Sequence, residues 1–215
     1  MEIKLEQVLP MDIERRSFEI IESELPHPID PKYAPIIKRC VHTSADFDYV
    51  DNLCFSEGVL EKAKEAIRKG AVIVSDTTMV QSGINKRELA VYGGEACCFI
   101  ADPDVVEAAK KNGTTRSYAS MQKAASLDRP VIFAIGNAPT ALVEIANLID
   151  EGAMKPELVI GVPVGFVNVV ASKELIMTKD VPYIVARGRK GGSNIAACIV
   201  NAILYILKEE RGEKR

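Results

Sequence analysis

The chain has 215 residues, 47% hydrophobic and 27% charged, with 27 Lys plus Arg against 30 Asp plus Glu. That length suits one domain whose core needs neither disulfides nor a structural metal, and the composition excludes a disordered chain. A net charge of −3 argues against a general nucleic-acid binder, and no apolar run of ~18 residues is present to cross a membrane.

The opening stretch, MEIKLEQVLPMDIERRSF, is too acidic and too interrupted for a secretory signal, which makes the cytoplasm the expected compartment. Periodicity predicts a helix from about Ile13 to Leu25, then a Pro-rich connector from Pro26 to Pro35 in which His27 reads as a loop residue. The following segment, KRCVHTSADFDY, is less regular. It places His42 behind two cations and among hydroxyls and carboxylates. Imidazole is the side chain best suited to exchanging protons near neutral pH. The alternative is a structural histidine satisfied by Thr43 or Asp46. Ser56 stands where it could cap a helix running to about Lys69, with Leu60, Ala63 and Ile67 on one face and Gly70 as its stop.

Five continuous apolar runs follow: Ala71 to Thr77, Cys97 to Ala101, Pro130 to Gly136, Leu158 to Val164 and Tyr183 to Arg187. Unbroken runs of this length fit strands buried on both faces. Helical segments alternate with them. Asp102-Pro103 starts one helix, Pro139 opens another that ends at Gly152, and Ser193 caps a last one through about Glu209. That last helix is apolar almost all round from Ile195 to Leu207, which suits either the core or a subunit contact. The tail KEERGEKR reads as a solvated end. The expected architecture is a single α/β domain over residues 1–215: an α/β/α sandwich with a mainly parallel sheet of about five strands.

Ligands of open parallel sheets bind beyond the carboxyl ends of the strands. Those ends carry Ser75-Asp76-Thr77, Gly136-Asn137-Ala138-Pro139-Thr140, Pro163 to Asn168 and Arg187 to Asn194, with Gly113 to Ser117 one helix beyond Asp102. GNAPTAL puts small residues at a helix start, where free N–H groups favour an anion. RGRKGGSN sets three cations and the pair Gly191-Gly192 before another helix. The bland reading is tight turns with a solvated basic patch. Neither loop has the spacing of a nucleotide-phosphate fingerprint, and there is no Gly-x-Ser-x-Gly elbow. Local cations on an acidic chain point to a small polyanionic ligand. The five cysteines (40, 54, 97, 98, 198) form no C-x-x-C pair and read as small hydrophobes of a reducing compartment.

Arg16-Ser17-Phe18, KRCVHTSADFDY, SDTTMVQSGI, GTTRS, GNAPTAL, VIGVPVGFVNVVASKE and ARGRKGGSN together resemble the precorrin-8X methylmutase family of cobalamin biosynthesis and its cobalt-precorrin-8 counterpart. The segments run in the family's order from about residue 15 to residue 202. The resemblance implies an α/β/α sandwich and an isomerisation in which a methyl group moves from carbon 11 to carbon 12 of a tetrapyrrole fringed with carboxylates. His42 matches the family's proposed proton donor and acceptor. Ser17 and Arg39 match positions implicated in substrate binding, and Arg116 and Ser117 lie in the matching TRS loop. Arg187, Arg189, Lys190 and Ser193 are assigned to substrate from charge and position. The string HTSADFD is more similar to the cobalt-containing branch, in which cobalt arrives inside the substrate. No cofactor and no protein-bound catalytic metal are therefore expected. The family is homodimeric, with its active site near the subunit interface. Two other readings remain: a corrinoid carrier in which His42 is dispensable, and a nucleotide-binding α/β enzyme using GNAPTAL.

Overall fold

A computed structural model describes residues 6–213; the first five residues and residues 214–215 of the tail lie outside the described residues. A 3-10 turn over Pro10–Asp12 leads into α1 (Ile13–Glu24), α2 (Ala34–Ser44) and α3 (Tyr49–Asn52). Then come β1 (Leu53–Phe55), α4 (Val59–Arg68), β2 (Val72–Ser75), α5 (Thr78–Gly83), α6 (Lys86–Ala90) and β3 (Glu95–Cys97). The second half runs α7 (Pro103–Asn112), α8 (Arg116–Ala124), β4 (Val131–Ile135), α9 (Pro139–Asp150), β5 (Leu158–Gly161), α10 (Val169–Met177), β6 (Tyr183–Ala186) and α11 (Ser193–Glu210).

The strands form one sheet in the order β1-β6-β5-β4-β2-β3, parallel throughout except that β1 pairs antiparallel with β6, Leu53 opposite Ala186. The sheet therefore has six strands where about five were expected. The sixth is only three residues long and half exposed at the edge, so it left no apolar run in the sequence. The expected run Cys97 to Ala101 is also displaced. Residues after Cys97 leave the sheet and turn, with Asp102 N–H on the Phe99 carbonyl, and the strand begins at Glu95 instead.

Side chains alternate across the pleat, which makes the sandwich. Ile73, Ile132, Ala134, Ile160 and Ile184 face a core built with α2, α4, α5 and α11. Val72, Val74, Phe133, Ile135, Val159 and Val185 face a second core with α8, α9 and α10. α11 is buried along most of its length against α2, α5 and the sheet, so its apolar girth belongs to the core.

Two expected caps are filled by other residues, and a third stands in place without its side-chain bond. The N-cap of α4 is Gly58 at φ 67°, while the Ser56 hydroxyl accepts the Tyr183 N–H at 2.9 Å and ties β1 to β6. Asp102 does precede α7, but its carboxylate receives Lys123 at 2.7 Å instead of a helix N–H. Gly192, not Ser193, is the N-cap of α11. α2 was not foreseen; Pro35 in its first turn makes its start read as the end of the connector.

Candidate active site

The strand order turns back between β2 and β4, because β2 leads outward to β3 while β4 opens the run toward β5 and β6. The crevice at such a point is where open sheets bind ligands. Here a side chain of the protein occupies its base. The buried Asp76 carboxylate, just past β2, accepts the amide N–H groups of Gly136, Asn137 and Ala138 at 2.9, 2.8 and 2.6 Å. The anion site expected of GNAPTAL therefore exists, and Asp76 is its anion. Burial pushes the Asp76 carboxyl up, and the three amide donors oppose that rise.

The 187–193 loop closes over this base. A Cβ on Gly136 would stand 2.6 Å from the Ser193 Cα, and one on Gly191 would stand 2.1 Å from the Val162 carbonyl oxygen. Only glycine allows these approaches. Lys173, fully buried on α10, lies beneath the loop and donates to the Gly188 and Lys190 carbonyls, each at 2.8 Å. With no carboxylate partner in contact among the described residues, burial lowers its pKa to about 8.

Above the base runs a groove of about 490 Å³ lined by Thr77, Met79, Gly136, Asn137, Val164 and the 191–194 segment. Ser193 faces it with its hydroxyl 3.0 Å from that of Thr77. Through Met79 and Asn194 it continues into a second groove, about 350 Å³, lined by Arg39, Thr43, Cys198, Asn201 and Tyr205. Arg39 lies over the Tyr205 ring at 4.4 Å from its centroid and pairs with Glu14 of α1. Its side chain is only 14% exposed.

One turn further along α2, His42 is exposed and stacks on Phe18 of α1, with centroids 5.3 Å apart and planes 19° from parallel. Phe18 also lies under Arg39, at 5.5 Å. His42 and Ser17 share a hollow of about 260 Å³ with Val41, Ala45 and Phe47. The fold thus gathers Arg39 and His42 around one aromatic ring, with Ser17 beside His42. It puts Arg39 and His42 toward different recesses on either side of α2.

The expected basic rim is only partly free. Arg187 turns back to a two-point contact with Glu174 at 2.8 and 3.0 Å. Lys190 holds Asp46 and Asp48, each at 2.6 Å, just beyond the end of α2, and keeps the Asp46 carboxyl below its usual range. Arg189 lies over Phe166 at 5.4 Å. Arg116 opens α8 fully exposed and with no ion pair among the described residues, whereas its neighbour Ser117 is buried. Their turn is tied to the start of α9 by the Thr115 and Thr140 hydroxyls, 2.9 Å apart. Among the described residues no cluster of three or more His, Cys, Asp or Glu could hold a metal ion. His27 stays in its loop, bonded to Asp51 at 2.8 Å.

Sequence reasoning missed Lys173, Tyr205, Asn201 and the internal role of Asp76. A signal was present for part of this. Asn194, Cys198, Asn201 and Tyr205 recur at helical spacing in an otherwise apolar segment, which places them on one face of α11.

Comparison with known proteins supplies the remaining observation. The family model for precorrin-8X methylmutase matches residues 12–206. The cobalt-precorrin-8 methylmutase of Priestia megaterium is 47% identical over 203 residues, covering 94% of this chain and 90% of the relative. The enzyme of that name from Salmonella typhimurium is 46% identical over 207 residues, covering 93% and 97%. The crystal structure of a precorrin-8x methyl mutase from Thermus thermophilus superimposes with a TM-score of 0.83 at 37% identity, covering 93% of this chain and 98% of that one.

Proposed function

The chain belongs to the precorrin-8X methylmutase family, and from that premise we propose that it moves a methyl group from carbon 11 to carbon 12 of cobalt-precorrin-8, with His42 giving and recovering a proton. The activity is that of an isomerase of cobalamin biosynthesis, an intramolecular methyl transfer. The cobalt-containing substrate is favoured by the names of the relatives at 47% and 46% identity.

The observation that carries the role of His42 is its setting. It is solvent-facing, held flat by Phe18, beside Ser17 and one helical turn from Arg39. A sigmatropic methyl shift needs no nucleophile from the protein. A proton on the conjugated ring system makes the migration terminus electron-poor and lowers the barrier. One well-placed acid contributes about 100- to 10,000-fold in rate. The remainder comes from holding the ring in a reactive conformation.

Substrate carboxylates are the counterpart of the available cations. Arg116 is open for one, and Arg39 can exchange or share Glu14 for another. A macrocycle lying across α2 reaches both the His42 hollow and the Arg39 groove. Arg187, Arg189, Lys190 and Ser193 contribute through the loop they build, and those cations already engage Glu174, Phe166, Asp46 and Asp48. In this reading cobalt travels within the substrate and the protein supplies no catalytic metal or cofactor. The working unit is a homodimer in the cytoplasm; the exposed Val164, Phe166 and Val167 beside the groove give it an apolar contact.

Parallel incubation with precorrin-8 and cobalt-precorrin-8, the products identified by NMR, tests this. The expected result is a methyl group on carbon 12, formed faster from the cobalt substrate. Tight binding of both pigments with neither converted would establish the carrier reading instead.

A further inference from the structure

We propose that Cys198 is an oxidation-sensitive thiol opening onto the Arg39 groove, and that Cys40 behind it closes the oxidised form as an intramolecular disulfide. The two cysteines meet across the α2–α11 seam. Cys40 is completely buried in the core against which Cys198 packs, and it lies one helical turn before Thr43, whose hydroxyl reaches the Cys198 sulfur. Cys198 is partly exposed and lines the groove. Its sulfur accepts the Thr43 hydroxyl at 3.1 Å, and the Arg39 guanidinium lies in the same groove.

This is a different environment from that of an inert core cysteine. Two donors and a cation all favour the thiolate of Cys198, against burial, and hold its pKa at about 7. The Cys198 sulfur and burial push Cys40 well up, so the pair has one nucleophile and one protonated donor. Cys40 is sealed from solvent, whereas Cys198 is partly open to it. With a peroxide as oxidant, the Cys198 thiolate attacks one peroxide oxygen, the O–O bond breaks and the sulfur becomes a sulfenic acid, with water or an alcohol leaving. The Cys40 thiol, giving up its proton, then attacks that sulfur. The S–S bond forms, the S–O bond breaks and water departs. Two thiols are oxidised and one peroxide is reduced. The product links α2 to α11 directly beneath Arg39.

Cys54, Cys97 and Cys98 are partly exposed as Cys198 is, so they are internal controls for access. The native protein is treated with limiting iodoacetamide at neutral pH and each cysteine's labelling is read by peptide mass spectrometry. Cys198 is expected to react ~3-fold or more faster than the other three, the gain in thiolate outweighing its lower intrinsic nucleophilicity. That lead should narrow as the pH is raised, because a thiol of ordinary acidity gains thiolate while an already ionised low-pKa sulfur gains none and is the weaker nucleophile. Hydrogen peroxide should then give a Cys40–Cys198 cross-linked peptide. In Cys40→Ser it should leave a sulfenic acid on Cys198 that dimedone traps. First labelling at Cys54, Cys97 or Cys98 would overturn the reactive-thiol assignment. A dimedone-trapped Cys198 in the native chain, with no cross-link formed, would overturn the part given to Cys40. None of these readouts involves methyl transfer, so they stand apart from the proposed reaction.

Discussion

Arg39 and Arg116 carry the same charge into different surroundings, and that difference sets what each can do for a carboxylate. Arg116 is exposed on the first turn of α8, so its attraction is screened by salt; such a contact is worth at most about 1 kcal/mol, roughly fivefold in affinity. Arg39 is mostly enclosed between Phe18, Tyr205 and Glu14, where screening is weak. Truncating a charge in such a setting costs about 2 kcal/mol or more. Titrating pigment into Arg116→Ala should show a modest loss at low salt that disappears at high salt. In Arg39→Ala the loss should be larger and nearly the same at both. Matching salt profiles for the two variants would remove the distinction. Residue type and neighbours made His42 a candidate, but its aromatic setting could not be read from them. That Phe18 would lie flat against it, and also under Arg39, depends on how α1 crosses α2, which no local pattern encodes.

At the scale of elements, two buried charges hold the strand-tip loops, and each can be tested. Asp76→Asn would turn an amide NH₂ toward a cluster of three N–H donors, stranding at least one of them. The expected loss in denaturant unfolding is about 1–3 kcal/mol. Lys173 offers a pH test. Its folded-state pKa of about 8 lies below the ordinary lysine value of 10.5, so between those values the unfolded chain binds the extra proton. Stability of the native chain relative to Lys173→Met should therefore rise as pH rises from about 8 to 10.5, by up to about 3 kcal/mol. A flat difference across that window would mean that Lys173 holds its proton in the fold as firmly as in the unfolded chain, so that burial does not lower its pKa.

The same elements mark how far the sequence can be read. β2, β4, β5 and β6 were legible because strands covered on both faces must be apolar without interruption. β1 was not, because a three-residue edge strand with only its first residue buried is too short to leave such a mark. The GNAPTAL turn announced an anion site, but it could not announce that the anion comes from residue 76 of the same chain. That pairing is made by the β2–β4 adjacency. The basic loop was legible as charge and not as availability, since Glu174, Asp46 and Asp48 reach Arg187 and Lys190 only after folding.

At the scale of the whole molecule, Phe166 and Val167, 80% and 79% exposed, follow Val164 of the groove and form an apolar patch with it. If this patch joins two copies, Phe166→Asp should shift sedimentation from dimer to monomer while leaving the circular dichroism of the fold unchanged. A monomeric native chain would contradict the assembly. In the proposed reaction one pigment lies across α2 and touches both the His42 hollow and the Arg39 groove. The most direct measurement is a single-turnover reaction of cobalt-precorrin-8 with His42→Ala, following pigment absorption and bound ligand together. The account predicts that the pigment still binds while methyl migration slows by at least about 100-fold; conversion at the native rate would contradict it.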